Sequence, residues 1–147
     1  MDLEVISKRD INRHFQLSPV LGKKVICDNG EVIGKVKDIA FDRNRILGIY
    51  VSGAFGMSKL LIDREYISQF DADSVILKIN PVTDLVGKIV FDRDGKKLGR
   101  VNKVIRKSND NDFKEVLVKK NIFSRPLQIS KNDMDVIGKN IILKKTR

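Results

Sequence analysis

The sequence is poor in the residues that catalytic and metal sites usually require. Its 147 residues include one cysteine, Cys27, one histidine, His14, and no tryptophan. A single cysteine excludes an intramolecular disulfide and any metal site built from several cysteines. The one histidine has too few potential ligands near it in the sequence to form a metal site. We therefore expect no cofactor, no small-molecule substrate and no enzymatic activity.

Long apolar runs are also missing from the sequence. No stretch approaches the roughly 18 apolar residues of a membrane-spanning helix. The first 15 residues, MDLEVISKRDINRHF, mix acidic and basic side chains and lack the apolar segment of a signal peptide. We expect a cytoplasmic protein. Its 41% hydrophobic and 33% charged residues are typical of a folded chain with a buried core.

The strongest pattern that is present is an internal repeat. Residues 21–36, LGKKVICDNGEVIGKV, match residues 86–101, VGKIVFDRDGKKLGRV, without a gap. Three glycines recur at a constant offset of 65, since Gly22, Gly30 and Gly34 correspond to Gly87, Gly95 and Gly99. Further on, VILK at 75–78 recurs as IILK at 141–144, at an offset of 66. Three glycines in register, out of ten in the chain, indicate a duplication.

Each copy is predicted to be all-β, with about five strands. The turn sequences DNG and RDG lie between β-branched runs, so each copy opens with a hairpin. The next run, VIGKVKDIAFD or KLGRVNKVIRK, is long and has a glycine near its start, which predicts a bent strand that wraps a small barrel. The remaining strands are predicted at 46–51, 60–62 and 74–79, and at 115–119, 127–129 and 140–143, with Pro126 interrupting the fourth strand of the second copy. A single turn of helix is predicted within 64–70 and 131–136.

The repeat divides the chain into three segments. Residues 1–19 form an N-terminal extension, residues 20–80 the first barrel, and residues 81–147 the second barrel. Pro81 cannot donate a hydrogen bond to a sheet and restricts the residue before it to extended geometry, so residues 80–83 are the natural joint. Because this joint is short, we expect the two barrels to dock on one another.

The carboxylates beside turns are given a structural interpretation. Asp92 and Asp94 flank the RDG turn, where acidic side chains commonly accept hydrogen bonds from backbone amides. Asp92 aligns with Cys27, which lies beside the equivalent turn with no histidine near it in the sequence. Neither position has the neighbours that a nucleophile would need.

The pattern GKxVxxxxGxxIGKVxDIxFD, from Gly22 to Asp42, is followed by an apolar strand and the closing segment YISQFDADSVIL. It resembles the PRC-barrel domain, which is named for the H subunit of the photosynthetic reaction centre and is shared with ribosome maturation factors of the RimM type. Residues 87–145 resemble the same pattern. The resemblance implies a six-stranded, partly open barrel that serves as a docking module on ribosomal proteins, on membrane-bound partners or in cell-division scaffolds. It implies no active-site residues.

Charge distinguishes the two copies. Residues 1–80 contain 12 Lys and Arg against 11 Asp and Glu, whereas residues 81–147 contain 17 against 8, a net charge of +9. Since the copies share a fold, the difference predicts an acidic partner, with a dispersed solvated surface as the alternative. RNA is the first expectation, because Lys and Arg bind phosphates and Phe123 can stack on bases. The predicted patch consists of Lys96, Lys97, Arg100, Lys103, Arg106, Lys107, Lys119, Lys120 and Arg125.

The first copy carries a different signal. The segment ILGIYVSGAFGM, residues 46–57, is apolar nearly throughout, where a barrel strand should alternate. Either the second barrel covers both of its faces, or it binds a protein partner. The predicted docking residues are Ile49, Val51, Phe55 and Met57.

These observations predict a non-enzymatic adaptor. Its barrels would dock a protein partner, and the basic second barrel would contact RNA or a ribosomal particle. The alternative is a scaffold in cell division or at an anionic membrane face, in which the charge favours peripheral contact with lipid headgroups and nucleic acid has no role.

Overall fold

The computed structural model describes residues 4–10, 16–52 and 60–147. The chain divides into two compact units, Met1–Lys78 and Ile79–Arg147. Each unit contains one six-stranded sheet, joined by turns and short 3-10 helices. No helix within these described ranges is long and apolar enough to cross a membrane. The all-β prediction is confirmed.

The first sheet consists of β1 (Lys24–Ile26), β2 (Val32–Asp42), β3 (Arg45–Ser52), β4 (Leu60–Asp63), β5 (Ile67–Phe70) and β6 (Ser74–Leu77). Their order across the sheet is β4-β3-β2-β1-β6-β5. β1 and β6 are parallel, and the other neighbours are antiparallel. Hydrogen bonds leave β4 and β5 as edges, so the sheet is not closed.

The second sheet repeats this topology. It consists of β7 (Ile89–Phe91), β8 (Lys97–Ile105), β9 (Glu115–Lys119), β10 (Leu127–Ser130), β11 (Met134–Ile137) and β12 (Ile141–Leu143). The order is β10-β9-β8-β7-β12-β11, with β7 and β12 parallel. The shared order confirms the tandem repeat. Pro126 immediately precedes β10 and does not interrupt it.

In each unit, half or less of the segment predicted to form a turn of helix is helical. A 3-10 helix covers Arg64–Tyr66, and its equivalent covers Lys131–Asp133. The residue before each 3-10 helix caps it with its side chain. Asp63 accepts the backbone amide of Glu65 at 2.8 Å, and Ser130 accepts that of Asn132 at 3.3 Å. The residues that follow form β5 and β11, so each unit has six strands. These strands are only four residues long, too short for a clear alternation in the sequence.

The interior of each unit is built mainly from alternate side chains of its strands, to which the second unit adds Leu85 from the 3-10 helix Val82–Leu85 and Phe113 from the loop before β9. In the first unit, Val25, Val36, Ile49, Val51, Val75 and Leu77 are each no more than 2% exposed. In the second unit the cluster comprises Leu85, Val90, Val101, Phe113, Val116, Val118, Ile129, Met134, Ile141 and Leu143. Burying one such large aliphatic side chain contributes about 1.5–3 kcal/mol. Burial of these side chains is therefore a main stabilising contribution to both sheets.

The long second strand of each unit is bent at a glycine. Gly34 and Gly99 have positive φ values of +157° and +146°. At these points the strand passes so close to the next one that a Cβ would collide with a backbone carbonyl, that of Ser52 or of Lys119. The register of β2 and β8 also shifts just after the bend. The bend lets one strand pair on both sides while the sheet curves around its core.

We expect Gly99→Ala to destabilise the second unit by roughly 3 kcal/mol, since its new Cβ meets a carbonyl that cannot rotate away. Gly138→Ala is the control, because space around that position is open and the change should cost no more than about 0.5 kcal/mol. Urea unfolding followed by circular dichroism measures both. Equal stabilities for the two variants would show that the close approach is not required.

Candidate functional site

Four cations lie along the exposed face of β8 and the end of β9, and we call them the basic strip: Lys97, Arg100, Lys103 and Lys119. In the β8–β9 ladder, Arg100 lies directly opposite Lys119, and Lys103 lies opposite Leu117. The buried Val101 and Val118 alternate with them and point into the core. The sheet therefore holds the cations side by side on its outer surface.

The Arg100–Lys119 pair of the strip has no carboxylate beside it in the β8–β9 ladder. Like charges directly opposite each other in a ladder repel. Within the described part of the chain, the ion pairs are Lys131 with Asp112 at 2.5 Å and Arg147 with Asp133 at 3.6 Å, neither of which involves the strip. Glu115, the acidic residue of β9, is about 13 Å from Lys119 but lies diagonally across the ladder from Lys103, about 7–8 Å away.

The equivalent face of the first unit has a different charge pattern. Lys24 lies opposite Lys35 and Lys37 is exposed on β2, but the positions that match Lys103 and Lys119 carry no cation. Lys35 lies opposite Ser52 and Asp38 opposite Tyr50, in the ladder positions that correspond to Arg100 with Lys119 and Lys103 with Leu117. One cation and one anion thus occupy the positions at which the second unit has three cations. The fold therefore forms without cations at the positions of Lys103 and Lys119.

The other predicted patch residues have different surroundings. Lys120 and Arg125 lie in the loop after β9. The Lys96 ammonium donates to the carbonyl of Arg147 at 3.3 Å. The Arg106 guanidinium donates to two carbonyls of its own loop at 2.8 Å, and Lys107 lies in that same loop beyond the end of β8. Within the strip, the Arg100 guanidinium also donates to a carbonyl, that of Gly87, at 3.1 Å. Six of the nine predicted cations lie on the candidate surface, and the other three belong to turns at its ends.

The predicted protein-docking residues need a correction. Ile49 and Val51 are 0% and 2% exposed, because β3 alternates and both point inward. Neither side chain presents a surface to a partner. Phe55 and Met57, like His14, lie outside the described residues. The exposed apolar residues of β3 are Ile46 and Leu47.

The loop between β9 and β10 contains a feature that the sequence indicated only in part. Ile122 and Phe123 at its tip are 81% and 91% exposed. The side chain of Asn121 accepts the amide of Phe123 at 2.9 Å. The Ser124 hydroxyl accepts the amides of Lys120 and Asn121, each at 3.1 Å, and donates to the carbonyl of Asn121 at 2.9 Å. Hydrogen bonds therefore fix the turn that displays the two apolar side chains.

Asp92 is a buried carboxylate, 1% exposed, at the turn between β7 and β8. One oxygen accepts the amides of Asp94 and Lys96, each at 2.9 Å, and the other accepts the amide of Arg147 at 3.1 Å. The Arg147 amide is the largest influence holding the pKa of Asp92 below its usual value, burial opposes it, and the other two amides add to it. Its role is to fix the turn and the segment after β12.

The two open sheets and the exposed basic strip define an all-β binding module, with no cluster of three potential metal-ligating side chains within the described residues. A family model for the PRC-barrel domain matches residues 12–83 and again residues 78–147. The chain belongs to the PRC-barrel family and contains the domain in tandem. Domains of this family are typically non-catalytic interaction modules, which suggests a binding role in general. A search of curated proteins found no match.

The pKa of Asp92 is lower in the folded protein than in the unfolded chain, so the ionised carboxylate stabilises the fold. That contribution is present above about pH 4 and is lost as the pH falls toward the folded pKa. We expect Asp92→Ala to lower the thermal unfolding midpoint at neutral pH, and the gap from wild type to narrow in acid. Differential scanning calorimetry over this pH range measures it.

The control is Asp135→Ala, which removes an exposed carboxylate from the same unit. It should show a smaller gap at neutral pH. A gap for Asp92→Ala that is the same at neutral pH and at about pH 3 would mean that ionised Asp92 does not stabilise the fold.

Proposed function

We propose that this protein is a non-catalytic adaptor whose second unit binds RNA, free or within a ribosomal particle, through the basic strip. The observation that carries the proposal is the comparison between the units. At matching ladder positions the first unit has Lys35, Asp38 and Ser52, whereas the second has Arg100, Lys103 and Lys119. A backbone shared by both units cannot require this charge, so a partner is the better reason for it.

The chemistry of the strip suits a chain of phosphates. Its cations follow the direction of β8, and Lys97 and Lys103 are at most about 20 Å apart, since the strand between them is bent. Neutralising phosphates releases condensed counterions, which gives affinity without sequence specificity and makes it depend on salt. The aromatic ring of Phe123 lies in the loop that follows Lys119, and an exposed ring beside cations is typical of nucleic-acid surfaces.

An adaptor also needs a surface for a second partner, and the first unit has one. Phe41 and Ile46 lie opposite each other near the tip of the β2–β3 hairpin, and they are 57% and 42% exposed. In the second unit Arg106 stands at the position of Phe41, and its guanidinium bonds to its own loop. The apolar hairpin tip is thus specific to the first unit and supports protein docking there.

The test places first-unit residues in the second unit. We expect the double variant Lys103→Asp with Lys119→Ser to bind single-stranded RNA roughly tenfold more weakly in moderate salt. The slope of log affinity against log salt should fall by about 1.4, or about 0.7 for each lost phosphate contact. Fluorescence anisotropy with labelled oligouridine measures both quantities. Because the first unit folds with these residues, the variant should fold.

The matched control is Lys139→Asp with Lys144→Ser, which makes the same change in net charge at exposed positions outside the strip. It should retain most of the affinity. An equal loss in both variants would show that net charge, not the strip, determines binding. No RNA binding by the wild-type protein at low salt would refute the proposal.

A further inference from the structure

The loop after β9, residues 120–126, displays the most exposed apolar surface in the second unit. Ile122 and Phe123 are 81% and 91% exposed, and apart from Ile6 the other large hydrophobic residues among those described do not exceed 57%. Apolar side chains kept in water gain free energy when a partner covers them. Ile122 and Phe123 are therefore candidates for contact with a ligand.

The loop is organised before any ligand arrives. Four hydrogen bonds of the Asn121 and Ser124 side chains, between 2.9 and 3.1 Å, close the turn beneath the two apolar residues. A ligand would thus meet a surface whose backbone is already fixed, which reduces the conformational entropy lost on binding.

The charge around the loop has one sign. No acidic residue occurs from Val116 to Asn132. Lys119 and Lys120 precede the exposed pair, and Arg125 follows it. An anionic ligand would therefore meet a cation on either side of the apolar tip, with no carboxylate of this segment to repel it.

The direction of the strip distinguishes between anionic ligands. Lys119, at the loop, lies opposite Arg100 near the start of β8, and from there the strip continues along β8 to Lys103. A nucleic-acid strand can follow the strip and end at the loop, so the arrangement favours RNA over lipid.

We propose that the loop holds an unpaired nucleotide of the RNA, an inference that rests on the proposed function. The base stacks on the ring of Phe123, Ile122 covers its sugar, and Lys120 and Arg125 contact the phosphates on either side. Paired bases have their faces covered by their neighbours, so only an unpaired base can use this ring. The loop makes the second unit selective for single-stranded RNA over duplex.

The direct test is Phe123→Trp, which introduces the one tryptophan of the chain. Stacking of a base on the indole quenches its fluorescence. We expect quenching on addition of oligouridine, and little change with an RNA duplex of the same length. A blue-shifted, enhanced emission with phosphatidylglycerol vesicles and no quenching by oligouridine would overturn the proposal in favour of a lipid contact.

Affinities of further variants separate stacking from general apolar contact. Phe123→Ala and Phe123→Leu should both bind oligouridine about tenfold more weakly and leave duplex binding unchanged, whereas Phe123→Tyr should retain affinity. Full affinity in the leucine variant would contradict stacking. The exposed side chain makes these substitutions neutral for folding, which circular dichroism checks.

The results that would contradict this inference differ from those that would contradict the proposed function. If Phe123→Ala binds oligouridine as wild type does while Lys103→Asp with Lys119→Ser loses affinity, the strip binds RNA and the loop holds no base. If wild type binds neither RNA, both proposals fail.

Discussion

The close approach of two strands at a bent glycine is the constraint on which the rest of the structure depends. In the second unit, Gly99 lets β8 pair with β7 on one side and with β9 on the other while the sheet curves. The same approach brings Arg100 opposite Lys119, although their like charges repel. The geometry that encloses the core therefore also assembles the basic strip, and the apolar interior stabilises the fold against that repulsion.

The duplication separates what the fold requires from what it tolerates. Lys23 and Lys88 are present in both copies, and each ammonium donates to a backbone carbonyl across its own unit, so this shared charge is structural. Asp92, in contrast, accepts the amide of Arg147, whereas the equivalent position of the first unit is Cys27, which has no carboxylate. Lys103 and Lys119 have no structural counterpart of this kind.

The sequence predicted most of the fold and only part of the site. Glycines and turns in register sufficed to show two copies of one all-β unit, because backbone geometry restricts those positions. β5 and β11 were missed because a strand of four residues that follows a 3-10 helix is too short to show a clear alternation of apolar and polar residues. Ile49 and Val51 were misassigned because their segment as a whole is apolar, while the structure turns only alternate residues inward. The charge of the second copy was evident, but its alignment depends on ladder register, and the exposure of Ile122 depends on hydrogen bonds within its loop.

The central claim is that the surface charge of one unit, and not the barrel that both units share, binds RNA. The most direct test is a nuclear magnetic resonance titration of the full chain with oligouridine, following backbone amide shifts. The account predicts shifts concentrated in residues 97–103 and 119–125, with little change at 32–38 and 52 of the first unit. Shifts of similar size at the matching positions of both units, or none in β8 and β9, would contradict it.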